Sequence, residues 1–283
     1  MTPTVALRNG PAECLVAPAL GGSILAWRIG GIDILRPAAA GAVSPLELAS
    51  FPLVPFANRI AHGRFRFDEI DALPGPHPVA DPHALHGHGW ESAWIVVDQS
   101  DRSVMLEFER PGDDAWPWTY RARQHIELDP LELRTAITIE NLSPQPMPAG
   151  AGIHPYFPRF VTSRVTAVAK QRWDNDASGL AVASADDTRF ADGSRSVDEL
   201  EGLDHFFPAS DPVRISAPAG DIEIPLGDAA GFHLYVPTGL AHFCVEPVTH
   251  PPDALGRGDR EAMAVLSPGE RRTWHFPLRW TPS

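Results

Sequence analysis

Residues 120–139 read Tyr120-Arg-Ala-Arg-Gln-His-Ile-Glu-Leu-Asp-Pro-Leu-Glu-Leu-Arg-Thr-Ala-Ile-Thr-Ile139. Side chains alternate between the two sides of a strand, so a run whose apolar residues recur every second position describes a half-buried β-strand. Tyr120–Leu128 and Leu131–Ile139 both follow that rhythm, with Leu131, Leu133, Ile137 and Ile139 on the apolar face of the second run. Asp129-Pro130 between them is a turn pair, because proline cannot donate to a ladder and aspartate caps its own backbone. The stretch therefore predicts a long β-hairpin.

The same period extends in both directions. Val5 and Leu7, an Asn9-Gly10 turn, then Cys14 and Val16 predict a hairpin. So do Ile24–Ile29 and Ile32–Leu35 around Gly30-Gly31, and Trp94–Val97 and Val104–Phe108 around a Ser-Asp turn. Further strands are expected at Arg164–Ala169, Arg214–Ala217, Phe232–Val236, His242–Val245, Met263–Leu266 and Arg272–Leu278. No segment has the apolar stripe and caps of an amphipathic helix, and Asp186–Leu203 is polar enough for a loop or one short helix. Many strands, short turns and no βαβ alternation predict an all-β fold, an antiparallel sandwich or barrel. With no linker or repeat in view, residues 1–283 are expected to form one domain, a size at which a core needs no disulfide or metal.

Composition excludes several function classes. Acidic residues outnumber basic ones, 36 to 23, which disfavours nucleic acid and anionic membrane surfaces as partners. Lys170 is the only lysine, so chemistry built on several amines is excluded. Two cysteines, Cys14 and Cys244, make neither a disulfide framework nor a CxxC metal or redox motif. Met1–Gly10 has no basic start followed by an apolar run, and no apolar stretch reaches the length of a membrane span. A reducing cytoplasm is the expected compartment. Nothing sets an oligomeric state.

The irregular stretches Pro52–Ala61, Pro74–Trp90, Ala149–Phe160 and Pro247–Gly258 are where chemistry is expected, since loops on a rigid sheet carry most sites. Polar residues in apolar or proline-rich settings concentrate in five segments. They are Phe51-Pro-Leu-Val-Pro-Phe-Ala-Asn-Arg-Ile60, Leu85-His-Gly-His-Gly-Trp90, Gly152-Ile-His-Pro-Tyr-Phe157, Leu203-Asp-His-Phe-Phe207 and Phe243-Cys-Val-Glu-Pro247. Each alone has an ordinary reading: Asn58-Arg59 as a turn with a surface arginine, His154 as a structural histidine, Glu246 as the end of a strand.

As an ordered set, these segments resemble the aldose 1-epimerase, or galactose mutarotase-like, family. The resemblance covers nearly the whole chain, from Ala19-Leu-Gly-Gly-Ser-Ile-Leu-Ala-Trp27 to Glu246-Pro-Val-Thr-His-Pro-Pro-Asp-Ala254, and the His-Pro-Tyr-Phe and Glu-Pro segments are its most specific parts. It implies a large antiparallel β-sandwich with a sugar cleft on one face, acting on a small-molecule sugar without a cofactor. It implies His154 as general acid and Glu246 as general base. Arg59, His86 and Asp204 would bind hydroxyls, with Asn58 adjacent; the motif around Asp204 is short and the match there looser. Pro74–His83 matches no family pattern and is a candidate for substrate choice.

The residue types suit that chemistry in their own right. A hemiacetal opens when a base takes the anomeric hydroxyl proton and an acid protonates the ring oxygen. The aldehyde turns about C1–C2 and closes on its other face, with acid and base exchanging roles. One carboxylate and one imidazole suffice. An arginine fork fits vicinal hydroxyls, and Trp90, Tyr156 or Phe157 would offer a face for sugar C–H groups.

Three other readings remain open. A metal-dependent, cupin-like enzyme would use the cluster His83, His86, His88 and Glu91, with Gly231, Pro237, Gly239 and His242 as a second motif, although the spacing from His86 to Glu91 is one residue short. A phosphorylated-sugar mutarotase needs further cations, for which Arg64 and Arg66 stand nearest, although Arg64-Phe65-Arg66-Phe67 also reads as an edge strand. A non-catalytic sugar-binding module would need the hydroxyl-binding set without both His154 and Glu246.

Overall fold

The structure is a computed structural model that describes residues 3–191 and 193–283. The predicted long hairpin forms, with Tyr120–Asp129 paired with Glu132–Asn141. Burial alternates along both strands without a break: Ala122, Ile126, Leu128, Leu133, Ile137 and Ile139 point inward. Arg121 and Arg123 point outward and meet Glu109 (2.8 Å), Glu140 (3.1 Å) and Glu107 (2.8 Å) across the ladder. Asp129 pairs with Glu132, so the turn residues are Pro130 and Leu131, one position later than the sequence suggested. The first hairpin shifts likewise: Asn9 pairs with Ala12 and the turn is Gly10-Pro11, with Gly10 at φ 60° as a two-residue hairpin turn requires.

This hairpin sits within a nine-stranded antiparallel sheet that runs from Ile95–Gln99 through Ser103–Arg110, the hairpin and Arg271–Pro282 to Gly220–Ile224, Val213–Ala217, Arg164–Thr166 and Ser194–Ser196. A four-stranded sheet, Val5–Asn9, Ala12–Ala17, Ser23–Ile29 and Ile32–Asp33, and a six-stranded sheet complete the main layers. One apolar core joins them: Ile137 and Ile139 of the large sheet, Trp27 of the small one, and Phe232, Leu234, Phe243 and Val245 of the six-stranded one. The expected all-β antiparallel sandwich is thus what forms. The described residues contain five three-residue 3-10 turns and no longer helix, and no helix is long and apolar enough to cross a membrane.

Asp186–Leu203 is neither a plain loop nor one short helix. It ends the hairpin Gln171–Asn175/Ala181–Asp186, then forms the edge strand Ser194–Ser196 and a 3-10 turn at Asp198–Leu200; residue 192 lies outside the described residues. The hairpin is half-exposed on both faces, so its sequence carries no apolar alternation. Residues 1 and 2, the first two of the Met1–Gly10 stretch, also lie outside the described residues.

Candidate active site

The six-stranded sheet orders Asp204–Pro208, Gly231–Tyr235, His242–Val248, Gly152–Ile153 and Pro52–Leu53, and Tyr156–Pro158 also pairs with His242–Val248. Directly paired residues share a face. Phe207, Phe232 and Leu234 go to the core, so the next residues along each strand go to the other side. Register then writes the site in two rows: Phe206, His233 and Glu246, and beside them Asp204, Tyr235, Cys244 and Tyr156. Above this face lies a cavity of about 350 Å³. Asn58, Arg59, His86, His154, Asp204 and Glu246 all line it, although they come from distant parts of the chain.

Asn58 and His86 come from loops and lock each other. The Asn58 N–H donates to His86 Nδ1 (3.0 Å), and the His86 N–H donates to the Asn58 carbonyl (2.9 Å). Both residues have positive φ, 60° and 57°, a region that costs most side chains energy and that Asn and His tolerate better than most. Gly87 follows with its Cα against Val54; a Cβ there would lie 2.2 Å from the Val54 oxygen. Because His86 Nδ1 accepts, a neutral His86 carries its proton on Nε2 and presents a donor. Burial, with the charge of Arg59 adding to it, holds its pKa well below the usual imidazole range, so the neutral form is the resting one.

Arg59 follows on the short strand Arg59–Ile60, and its Nη2 reaches Asp204 Oδ2 at 3.4 Å. Gly179, from the half-exposed hairpin, lies against the guanidinium, leaving 3.2 Å between a notional Cβ and Arg59 Cζ. A directed chain of hydrogen bonds continues inward. The Arg59 N–H donates to Asn58 Oδ1 (2.8 Å), so Asn58 Nδ2 donates to His233 Nδ1 (3.2 Å), and His233 Nε2–H donates to Asp204 Oδ1 (2.5 Å). Burial alone would raise the Asp204 pKa; the bond from His233 and the charge of Arg59 outweigh it and hold the carboxyl below its ordinary range.

His154 leaves the strand Gly152–Ile153 with its N–H on the Phe51 carbonyl (3.0 Å). Its ring packs against Phe51 (4.6 Å between centroids, 28°) and Tyr156 (4.7 Å, 21°), which also meet each other at 6.2 Å. Nε2 stands 3.3 Å from Glu246 Oε1, and both residues are almost fully buried. Burial against these rings takes the His154 pKa down to about 3. Burial, then the nearby Asp204, raises the Glu246 pKa well above the carboxylate range, against an opposing pull from Arg59. The free cleft therefore favours the neutral pair, with the proton on Glu246. The ion pair has the same net charge and differs by one proton moved across 3.3 Å.

Other sequence-predicted residues fall elsewhere. Tyr156 lines the cavity, but Trp90 is stacked beneath Phe51 at 5.2 Å and Phe157 belongs to the core. Val79 brings the Pro74–His83 stretch to the cavity wall. Arg64 and Arg66 do not line the cavity; Phe65 and Phe67 are buried with Arg66 outward, paired with Ile70–Ala72, which is the edge-strand arrangement. The metal cluster does not assemble from its four members. His83 accepts the His62 N–H on Nδ1 (3.1 Å) and meets Ser178 Oγ through Nε2 (2.7 Å), while Glu91 pairs with His77 at 3.1 Å. His242, from the second motif, faces Arg36 at 3.3 Å. Instead His86, His154 and Glu246 place donor atoms within 4.8 Å of one another. A metal-bound imidazole donates from its free nitrogen to an acceptor. His86 Nδ1 accepts from a peptide N–H, so its Nε2 presents a proton and not a lone pair.

Sequence reasoning passed over His233, Tyr235 and Arg36. The alternation in Phe232–Val236 places 233 and 235 on the face opposite Phe232 and Leu234, and two polar aromatic residues there were the available signal. Arg36 donates to the Leu46 and Leu48 carbonyls (2.9 and 2.6 Å) and covers the Tyr156 ring at 3.9 Å; no local pattern marks it.

Comparison with known proteins places the whole chain in one family and one fold. The sequence matches the aldose 1-epimerase family over residues 3–279. The uncharacterized protein YphB of Escherichia coli K12 is 29% identical over 270 residues, covering 87% of this chain and 88% of that one. A crystal structure from Escherichia coli K12, described provisionally as an aldose 1-epimerase, superposes with a TM-score of 0.90 at 27% identity, over 99% of both chains. An aldose epimerase homologue from C. elegans shares the fold, with a TM-score of 0.85 at 15% identity over 100% and 99% of the two chains.

Proposed function

The chain belongs to the aldose 1-epimerase family, and from that premise we propose that it is a mutarotase that interconverts the α and β anomers of an aldose by acid–base ring opening. The observation that carries the reading is the pairing of His154 Nε2 with Glu246 Oε1 at 3.3 Å in a cavity whose other polar residues suit hydroxyl groups. The anomeric hydroxyl and the ring oxygen share carbon C1. An acid and a base that serve both must reach two points two bonds apart, and a separation of 3.3 Å suits that.

With the shared proton on His154, Glu246 takes the proton of the anomeric hydroxyl. The O1–H electron pair becomes the second C1–O1 bond of the aldehyde, the C1–O5 bond breaks, and O5 keeps that bond's pair and takes the proton from His154. The pair is then neutral, with the proton on Glu246, which is the distribution that burial favours. Rotation about C1–C2 exposes the other face of the aldehyde. Closure reverses every transfer: His154 takes the O5 proton as that oxygen attacks C1, and Glu246 protonates the aldehyde oxygen. Neither direction needs a cofactor, and each positioned proton transfer contributes roughly a hundred- to ten-thousand-fold.

His86 Nε2–H, Arg59, Asn58 and Asp204 supply donors and acceptors for the remaining hydroxyls. Among the described residues, Arg59 is the one arginine or lysine in the lining, and Asp204 already engages it. That supports an uncharged sugar over a phosphorylated one. A binding module has no use for a buried acid and imidazole held apart from structural partners, which supports an enzyme.

The test is anomer exchange followed by NMR or polarimetry across a panel of aldoses and aldose phosphates, before and after exhaustive chelation. The expected result is accelerated equilibration of at least one uncharged aldose, unchanged by chelation. No acceleration on any sugar, or activity lost with the metal and restored by it, would refute the reading.

A further inference from the structure

Asp204 begins the outermost strand of the six-stranded sheet and its side chain is a third exposed, which leaves an isolated carboxylate free to turn. His233, in the middle of the next strand, is almost fully buried, at 3% exposure, and lines the cavity. It paires its two ring nitrogens with two different site residues: Nδ1 takes the Asn58 amide at 3.2 Å, and Nε2 holds Asp204 at 2.5 Å. In the register it also stands opposite Glu246. We infer that His233 is a positioning residue that fixes the Asp204 carboxylate and the Asn58 amide as one preset hydroxyl-binding wall. This rests on the mutarotase reading for its kinetic consequences, but not for its structural ones.

The direction of every bond in the chain is determined. The Arg59 N–H occupies Asn58 Oδ1, so the Asn58 amide can only donate toward His233; Nδ1 must accept, and the ring proton must lie on Nε2. That tautomer has one use for its proton, which is Asp204. A carboxylate held this way keeps its second oxygen, Oδ2, toward Arg59 and the cleft. Removing the imidazole frees Asp204 to rotate and deprives it of the bond that most strongly holds it ionised. The groups left facing it are Arg59, His86, His154, His205, Tyr235, Cys244 and Glu246. Of these, Arg59 is the one fixed cation, at 3.4 Å, and Glu246 works against ionisation. The Asp204 pKa therefore rises in such a variant. Sugar binding that needs the carboxylate then fails at a higher pH as the solution is acidified.

Two substitutions separate positioning from packing. His233→Phe keeps a ring in the buried slot and removes both hydrogen bonds. His233→Gln restores an acceptor for Asn58 and a donor for Asp204. With the aldose that the parent uses best, His233→Phe should raise KM at least about tenfold, lower kcat much less, and move the acidic limb of kcat/KM to higher pH. His233→Gln should return KM to within about threefold of the parent. A His233→Phe protein with parental KM and pH profile overturns the inference, as does a His233→Gln protein as impaired as His233→Phe, which would mark a packing role. A second arm needs no sugar. The long-range 15N–1H spectrum of the free parent, with the His233 signals identified by their loss in His233→Gln, should show a neutral Nε2–H tautomer; an Nδ1–H tautomer refutes it. If the parent epimerises nothing, the mutarotase reading falls and this spectrum still decides the role of His233.

Discussion

In the nine-stranded sheet, Tyr120–Asp129 and Glu132–Asn141 alternate buried and half-buried side chains over ten residues each, with arginine and glutamate laddered along the outer face. In the six-stranded sheet, Gly231–Tyr235 and His242–Val248 are buried on both faces, and one of those faces is not apolar: it carries His233, Tyr235, Cys244 and Glu246. Nearby, Asn58 and His86 hold positive φ. The first region satisfies every local rule. The second breaks several at once, with buried titratable groups, strained backbone and two-residue strands. Local violations of this kind concentrate where a fold supports chemistry, at a cost in stability borne by the regular parts.

The largest effect is expected in the regular region. Ile137→Ala in the long hairpin leaves a hole in the core shared by both sheets and should cost about 2–5 kcal/mol of unfolding free energy in denaturant titration. The folded fraction should keep the parental kcat. A cost below the measurement error would mean that the large sheet is not the foundation of the fold.

Acid comes next, and acts through the other region. His86, His154 and His250 are buried and held neutral, with His154 down to about 3 and His250 down to about 4, chiefly by burial. Unfolding returns each to about 6.5, so below that pH the unfolded chain binds the extra protons and stability falls as pH falls, until the folded values are reached. Glu246 opposes this: its raised pKa means that the native state already holds a proton that the unfolded state releases above the usual carboxylate range. His88 and His242, each held down to about 4, act in the same direction as the other imidazoles. The imidazoles outnumber the carboxyl, so stability should fall between pH 6 and pH 5. Glu246→Gln removes the opposing group and should steepen the loss. A flat profile over that interval would contradict the protonation states assigned to the cleft.

The smallest effect belongs to the charged ladder. Arg134 bridges Glu127, Asp129 and Glu132 at 3.1, 2.5 and 2.8 Å but is more than a third exposed. Arg134→Ala should cost less than about 1 kcal/mol, and less again in salt. A larger loss would mean that the outer face is more than a solvated surface.

The same division explains what the sequence disclosed. The long hairpin was legible because burial on one face imposes period two, and its error of one residue at the turn reflects a ladder that closes around Pro130-Leu131 as easily as around Asp129-Pro130. Gln171–Asn175 and Ala181–Asp186 were not legible, since a hairpin half-exposed on both sides has no apolar face to alternate. In the cleft, six residues singled out through a family resemblance line one cavity, and nothing in local periodicity would have joined Asn58 to Glu246. His233 was missed for a related reason. Its place is set by the register of three strands, a long-range property that no spacing within Gly231–Tyr235 records.

The central claim is that Glu246 and His154 move the protons, and Glu246→Gln tests it most directly. The amide keeps the shape of the carboxyl but takes up no proton at neutral pH. A pure anomer of the parent's best aldose should equilibrate at least about a hundred-fold more slowly with this variant than with the parent, with sugar binding and fold retained. Equilibration at the parental rate would show that Glu246 is not the base and that the mechanism is wrong.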